Sequence, residues 1–154
     1  MVELRKITKE NFEKVIRLSV AENQIPFVAS NVYSLAQAGI YRETAYPFAI
    51  YTDDILVGFI MMGYYEKECQ YTLWRFMIDE KYQNKGYGKS ALKLAVNYMI
   101  DNFKVKELGT GTHCKNFVAK KLYKSLGFKE TSEIDGDQIG MKLLIKDFVF
   151  NQQL

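Results

Sequence analysis

The sequence predicts an α/β fold built on a mixed sheet, and three observations predict it. Between residues 46 and 78, three strand-like segments follow one another across short polar turns, the pattern of antiparallel neighbours. Beyond residue 88, segments with apolar residues at helical spacing alternate with strand-like segments, the pattern of crossover connections. The chain then offers a last hairpin, with Asp135-Gly136 as its turn. No internal repeat, low-complexity tract or linker interrupts the 154 residues, so residues 1–154 are expected to form a single domain.

Each element has a local cause. Residues 2–7 form a short strand. Thr8 is placed to cap a helix running to about Ala21, with Phe12, Val15, Ile16 and Val20 on one face. Residues 22–29, with Pro26, read as a loop. Ser30 or Asn31 caps a second helix over 32–38, which Gly39 stops. Residues 46–51 are a strand, Asp53-Asp54 a turn, 55–65 a long strand, 66–70 a polar turn and 71–78 a further strand. A loop over 79–88 leads into a helix over about 89–103, whose Leu92, Ala95, Val96, Met99 and Phe103 share a face. Residues 107–112 are a strand. Asn116 caps a helix to Leu126, which ends at Gly127, and 128–133 with 138–144 make the final hairpin.

Composition narrows the classes of function. Hydrophobic residues are 48% and charged residues 25%, a globular balance, and the net charge of +3 comes without a Lys/Arg arm or stripe. Nucleic acid is therefore not expected as a partner. No stretch approaches the ~18 apolar residues of a membrane span, and no signal-peptide pattern opens the chain, so no membrane partner and a cytoplasmic location are expected. Two Cys, Cys69 and Cys114, and one His, His113, are too few for a zinc site of about four ligands. Both thiols are expected to be reduced, and no metal is expected.

The stretch QNKGYGKS, residues 83–90, carries the clearest chemistry, and it fits three phosphate-binding patterns. Gly88-Lys89-Ser90 matches the end of a Walker A loop, with Gln83 standing where the first Gly belongs. Gly86 and Gly88 with Ala91 match a relaxed dinucleotide fingerprint. Gln83-x-x-Gly86-x-Gly88 matches an acyl-CoA pyrophosphate loop. Context separates them. In the first two, a strand feeds the first Gly directly, whereas here seven residues separate Ile78 from Gly86 and several strands precede. The third needs only backbone N–H groups converging at a helix start, with Lys85 and Lys89 adding charge. A glycine-rich turn that binds nothing is the plain alternative.

A second motif lies one strand later. Asn116 and Tyr123 are seven residues apart, ~700° around a helix, so they share a face. A capping Asn, a half-buried Tyr and a Gly cap followed by Phe128 are sufficient structural roles. The Gln83 loop followed by N-x-x-A-x-x-L-Y-x-x-x-G-F over 116–128 resembles the GNAT superfamily of acetyl-CoA-dependent N-acetyltransferases. Segments 22–38, 46–51, 56–65, 74–92 and 121–128 resemble bacterial spermine/spermidine (polyamine) acetyltransferases within it. The resemblance implies a mostly antiparallel central sheet flanked by about four helices.

It also implies acetyl-CoA as co-substrate and a small amine, best matched by a polyamine, as acceptor in a ternary complex. The alternatives are transfer to a protein or peptide amine, and a non-catalytic acyl-CoA-binding module. By the same resemblance, Phe76, Met77 and Ile78 would hold the pantetheine arm. Gln83, Asn84, Lys85, Gly86, Tyr87, Gly88, Lys89 and Ser90 would hold the pyrophosphate. Asn116 would meet the leaving region, Tyr123 would be the general acid and contact the cofactor, and the Met77 N–H would polarise the carbonyl. Lys120 and Lys124 are read as a solvated face. The sequence departs from the family at the general base, because residues 71–74 hold no carboxylate. His113 is one candidate, read more simply as a loop residue. Glu22, Glu66 and Glu68, with Trp74, are the candidates for the acceptor side. A homodimer is common in the family, and residues 147–154 are expected to pack on a partner or back on the core.

Overall fold

The computed structural model describes residues 1–152, except for the side chains of residues 150 and 151. The strands are β1 (Val2–Lys6), β2 (Ala45–Thr52), β3 (Ile55–Tyr65), β4 (Gln70–Ile78), β5 (Glu107–His113), β6 (Lys129–Asp135) and β7 (Gln138–Leu144). The helices are α1 (Phe12–Ile16), α2 (Asn31–Ile40), α3 (Tyr87–Phe103), α4 (Phe117–Ser125) and α5 (Ile145–Gln152), with 3-10 helices at Glu22–Phe27 and Glu80–Tyr82. One seven-stranded sheet takes the order β1-β2-β3-β4-β5-β7-β6. Every neighbouring pair is antiparallel except β4 with β5, so the expected mixed, mostly antiparallel sheet is present.

Turn chemistry explains the hairpins. Asp53 (φ 47°) and Asp54 (φ 66°) both take the left-handed conformation that a two-residue turn matched to sheet twist requires. Gly136 (φ 58°) serves the last hairpin in the same way.

Four expectations need correction. The first helix has five residues, not about thirteen. Its start is displaced because the Asn11 carboxamide accepts from the Thr8 N–H (2.8 Å) and donates to the Lys6 carbonyl (2.9 Å), which makes a turn of residues 8–11. Its end is displaced because tertiary bonds replace helical ones: the Ser19 N–H donates to the Asp79 carboxylate (3.1 Å) and the Ser19 carbonyl accepts from Glu80 N–H (2.9 Å). Residues 22–27 are a 3-10 helix rather than a loop. Gly39 does not stop α2, which continues to Ile40, with the Tyr41 N–H closing on Gln37 (2.9 Å). The sequence reading has no counterpart for α5, although Phe148 is 2% exposed and joins the core.

The sheet separates two apolar layers. On one face Ile60, Met62, Leu108 and Leu143 pack with Leu92, Val96 and Met99 of α3 and with Phe148. On the other, Ala49, Phe59, Met61 and Met77 pack with Val15 of α1 and Leu35 of α2. Each large side chain so buried contributes about 1.5–3 kcal/mol. No helix among the described residues is long and apolar enough to cross a membrane.

Candidate active site

Two irregularities in β4 create the site. The first is a bulge: Met61 pairs with Arg75 and Met62 with Leu73, leaving Trp74 unmatched. A bulge changes the alternation of side chains, so Trp74 and Arg75 both turn away from the α3 face. The Trp74 ring lies where a Cβ on Gly63 would be, 2.0 Å from its nearest atom, so the glycine is what lets the indole sit flat on β3. The second irregularity is a parting of strands. β4 and β5 pair only at Thr72–Gly109 and Leu73–Thr110, and beyond these the sheet opens.

In an antiparallel ladder, the groups that face the neighbour recur every second residue. The Asp79 N–H donates to the Val57 carbonyl of β3 (2.9 Å), so Met77, two residues earlier, also faces β3. The backbone groups turned toward the opening are therefore those of Phe76 and Ile78. The Met77 N–H, expected to polarise the carbonyl, points to β3 instead of the opening.

The opening continues as a cleft of about 380 Å³ between the 3-10 helix Glu22–Phe27, β4, the start of α3, and α4. Phe76, Met77, Ile78, Asn116 and Tyr123 line it. Gln83, Asn84, Gly86, Tyr87, Gly88 and Lys89 also line it. Lys85 and Ser90 do not: the Lys85 ammonium lies 5.5 Å over the Tyr82 ring, and Ser90 closes the first helical bond, its N–H donating to Gly86 (3.2 Å).

The loop of residues 83–88 is shaped by its backbone. Asn84 (φ 62°) and Gly86 (φ 79°) are both left-handed, and Gly86 is the N-cap of α3. Because Ser90 donates the first helical bond, the N–H groups of Tyr87, Gly88 and Lys89 precede the helix ladder and are free for an anion. A Cβ at Gly88 would lie 3.4 Å from the Phe76 ring and 3.6 Å from Ile78, so it would occupy the cleft itself. Gln83 has an ordinary backbone (φ −68°) and works through its side chain. Its amide donates to the Ile78 carbonyl (2.9 Å) and to the Gln24 side chain (2.8 Å), fastening the loop both to the end of β4 and to the helix across the cleft.

Asn116 caps α4 by accepting from the Ala119 N–H (3.2 Å). Tyr123, on the same face, is 6% exposed, with its ring 5.6 Å from Phe128. Burial pushes its phenol up to about 12, and the neighbouring Thr110 hydroxyl opposes that rise. The group is therefore a neutral proton donor at pH 7. Lys120 and Lys124 pair with Glu130 (2.9 and 3.2 Å); Lys124 is exposed as expected, whereas the Lys120 side chain is only 16% exposed and is not part of a solvated face.

Among the acceptor-side candidates, only Trp74 lines the cleft; Glu22, Glu66 and Glu68 do not. His113 is not on the lining either. Its Nδ1 accepts from the Lys115 N–H (3.1 Å), its Nε2 faces Asp137 (3.7 Å), and its ring packs against Phe27 (4.9 Å). With Nδ1 accepting from Lys115 and Nε2 facing Asp137, His113 is not arranged as a base for this cleft. The described lining contains no carboxylate and no imidazole.

A second groove of about 380 Å³ adjoins the first, sharing Leu73, Trp74, Arg75, Thr110, Gly111 and Gln138 with it. It lies over β5, β7 and β6, and Glu133 and Asp135 border it. The sequence reading missed these two carboxylates. The alternation Glu133-x-Asp135 on a strand was the available signal, since both fall on one face.

Comparison with known proteins agrees with this architecture. The chain is 31% identical to the spermine/spermidine N(1)-acetyltransferase of Bacillus subtilis (strain 168), over 95% of this chain and 98% of that protein. Its fold is similar to the crystal structure of spermidine N-acetyltransferase from Vibrio cholerae in complex with CoA and spermine. The TM-score is 0.77 at 17% identity, over 96% of this chain and 98% of the other. An aminoglycoside acetyltransferase in complex with coenzyme A is as similar in fold, with TM-score 0.79 at 14% identity, covering 99% of both chains. Likeness of fold therefore does not select an acceptor. The model of the acetyltransferase (GNAT) family matches residues 4–128, and the chain belongs to that family.

Proposed function

We propose that the protein transfers the acetyl group of acetyl-CoA to a primary amine of a polyamine such as spermidine or spermine. The observation that carries the transfer is the parting of β4 from β5 beside the free N–H groups of α3, with Tyr123 on the wall between them. The polyamine rests on the 31% identity, along nearly the whole chain, to a protein named for that acceptor. Acetyl-CoA supplies an activated thioester.

The residues present suit that co-substrate. The amides of Tyr87, Gly88 and Lys89, with the Lys89 ammonium, would hold its pyrophosphate. The Phe76 and Ile78 backbone groups would align its pantetheine as an added strand. The Phe76 or Ile78 N–H would accept the negative charge that develops on the carbonyl oxygen. As the C–N bond forms and the C–S bond breaks, Tyr123 gives its proton to the departing sulfur. The amine must arrive uncharged and lose one further proton. With no carboxylate or imidazole on the described lining, water takes that proton. Steady-state release of CoA with spermidine, spermine and a panel of small amines tests this function. Absence of release with every amine, or release only with peptide amines, would overturn it.

A further inference from the structure

The groove beside the cleft has an uneven distribution of charge. Its cations are Arg75 and Lys142, and its carboxylates are Glu133 and Asp135. The Lys142 ammonium is bound to Glu107 (3.1 Å). Glu133 and Asp135 have no cationic partner among the described residues. Arg75, at the end shared with the cleft, has no carboxylate partner among them either. Its Nη1 donates to the Trp74 carbonyl (2.7 Å) and its Nη2 to Gln37 (3.2 Å).

Three polar atoms beneath the groove are also unsatisfied. The Thr72 Oγ1, the Trp74 Nε1 and the Arg75 Nε are buried without a hydrogen-bond partner, and all three residues line it. Thr72 is 9% exposed and Trp74 8%. Such groups are rare without a ligand or water, because each unmade bond costs about 1–3 kcal/mol. Between the two ends the floor is low. A Cβ at Gly111 would meet nothing within 4 Å, so open space stands above it. The Trp74 and Tyr65 rings, 5.1 Å apart, form the wall on the β4 side.

We propose that this groove is the acceptor channel, in which Glu133 and Asp135 hold a distal ammonium of the polyamine while the unpaired Arg75 favours the uncharged form of the reacting amine. The inference rests on the acetyl-transfer reading above and assigns the residues that choose its acceptor. From β4 to β6 there are three strand spacings, ~14 Å in all. Spermidine, with nine C–C and C–N bonds between its terminal nitrogens, extends over ~11 Å, and the Glu133 carboxylate leans inward over Gly140 of β7, so a triamine reaches and a monoamine does not. A guanidinium is a fixed positive charge, and a nearby like charge disfavours an ammonium. That effect meets the need for a free amine in a cleft whose lining supplies no base.

The test compares spermidine with 1-propylamine as acceptors at saturating acetyl-CoA. In the Glu133→Gln/Asp135→Asn double variant, the preference for spermidine, read as the ratio of kcat/KM, falls at least tenfold. Asp101→Asn, which removes a carboxylate on α3, keeps the wild-type preference. In Arg75→Gln the loss of kcat at saturating spermidine is largest near pH 7 and shrinks toward pH 10, because the midpoint of the kcat profile, which reports the bound amine, moves up. A double variant with the wild-type preference, or an Arg75→Gln profile parallel to wild type at every pH, overturns the proposal and leaves acetyl transfer standing. A wild-type protein that releases no CoA with either amine overturns both.

Discussion

The Tyr123 phenol stands at the boundary between the core and the cleft, and the two sides make separable demands on it. For the cleft it is the proposed proton donor, so Tyr123→Phe should lower kcat by about 10²–10⁴-fold. The KM for acetyl-CoA should change less than threefold, as steady-state kinetics would register. For the core it is a buried group whose folded state holds its proton more tightly than the unfolded chain does, about 12 against 10. The stability this contributes is complete below pH 10 and is lost as the pH rises toward 12. Relative to Tyr123→Phe, the wild type should lose on the order of 1–3 kcal/mol across that window, measurable by denaturant melts. Tyr123 and Asn116 were legible in the sequence because both fall on one motif and one helix face. Glu133 and Asp135 were legible only as alternating carboxylates that share a face, because no local pattern says which face of a late strand looks onto open space.

At the scale of the element, the loop of residues 83–88 joins two kinds of information. Its glycines could be read directly, since a left-handed N-cap favours a residue without a side chain. Gly86→Ala meets no neighbour within 4 Å, so its cost is conformational, about 1 kcal/mol. Thermal melts should show that loss together with a raised KM for acetyl-CoA. Gln83 fits a motif, but its partners, Ile78 and Gln24, lie on elements that a motif does not describe. The bulge at Trp74 was illegible for a related reason. A one-residue mismatch between β3 and β4 leaves no mark in either strand alone, yet it turns two consecutive side chains to the same face. The short α1 teaches the same lesson: helical periodicity at residues 12–20 was real, and bonds from Ser19 to the turn after β4 overrode it.

For the whole molecule, the order of elements was readable and the contribution of the C-terminal helix was not. The sequence leaves residues 147–154 open between a partner and the core. Within the described residues, Phe148 lies in the core and Val149 is 46% exposed. Phe148→Ala should cost about 3–5 kcal/mol, seen as a fall in Tm, although the residue is far from the cleft in sequence. The two pairs that join β4 to β5 have a wider consequence. The sheet is a four-stranded plate and a three-stranded plate meeting along a seam that is only partly stitched. The Phe76 and Ile78 amides along that seam should exchange with deuterium quickly in the free protein and slowly when acetyl-CoA lies against them. A molecule that completes the seam also holds the plates together, adding about 2.7 kcal/mol at a hundred times its dissociation constant. The robustness of the fold would then rise and fall with the concentration of CoA and its thioesters around it.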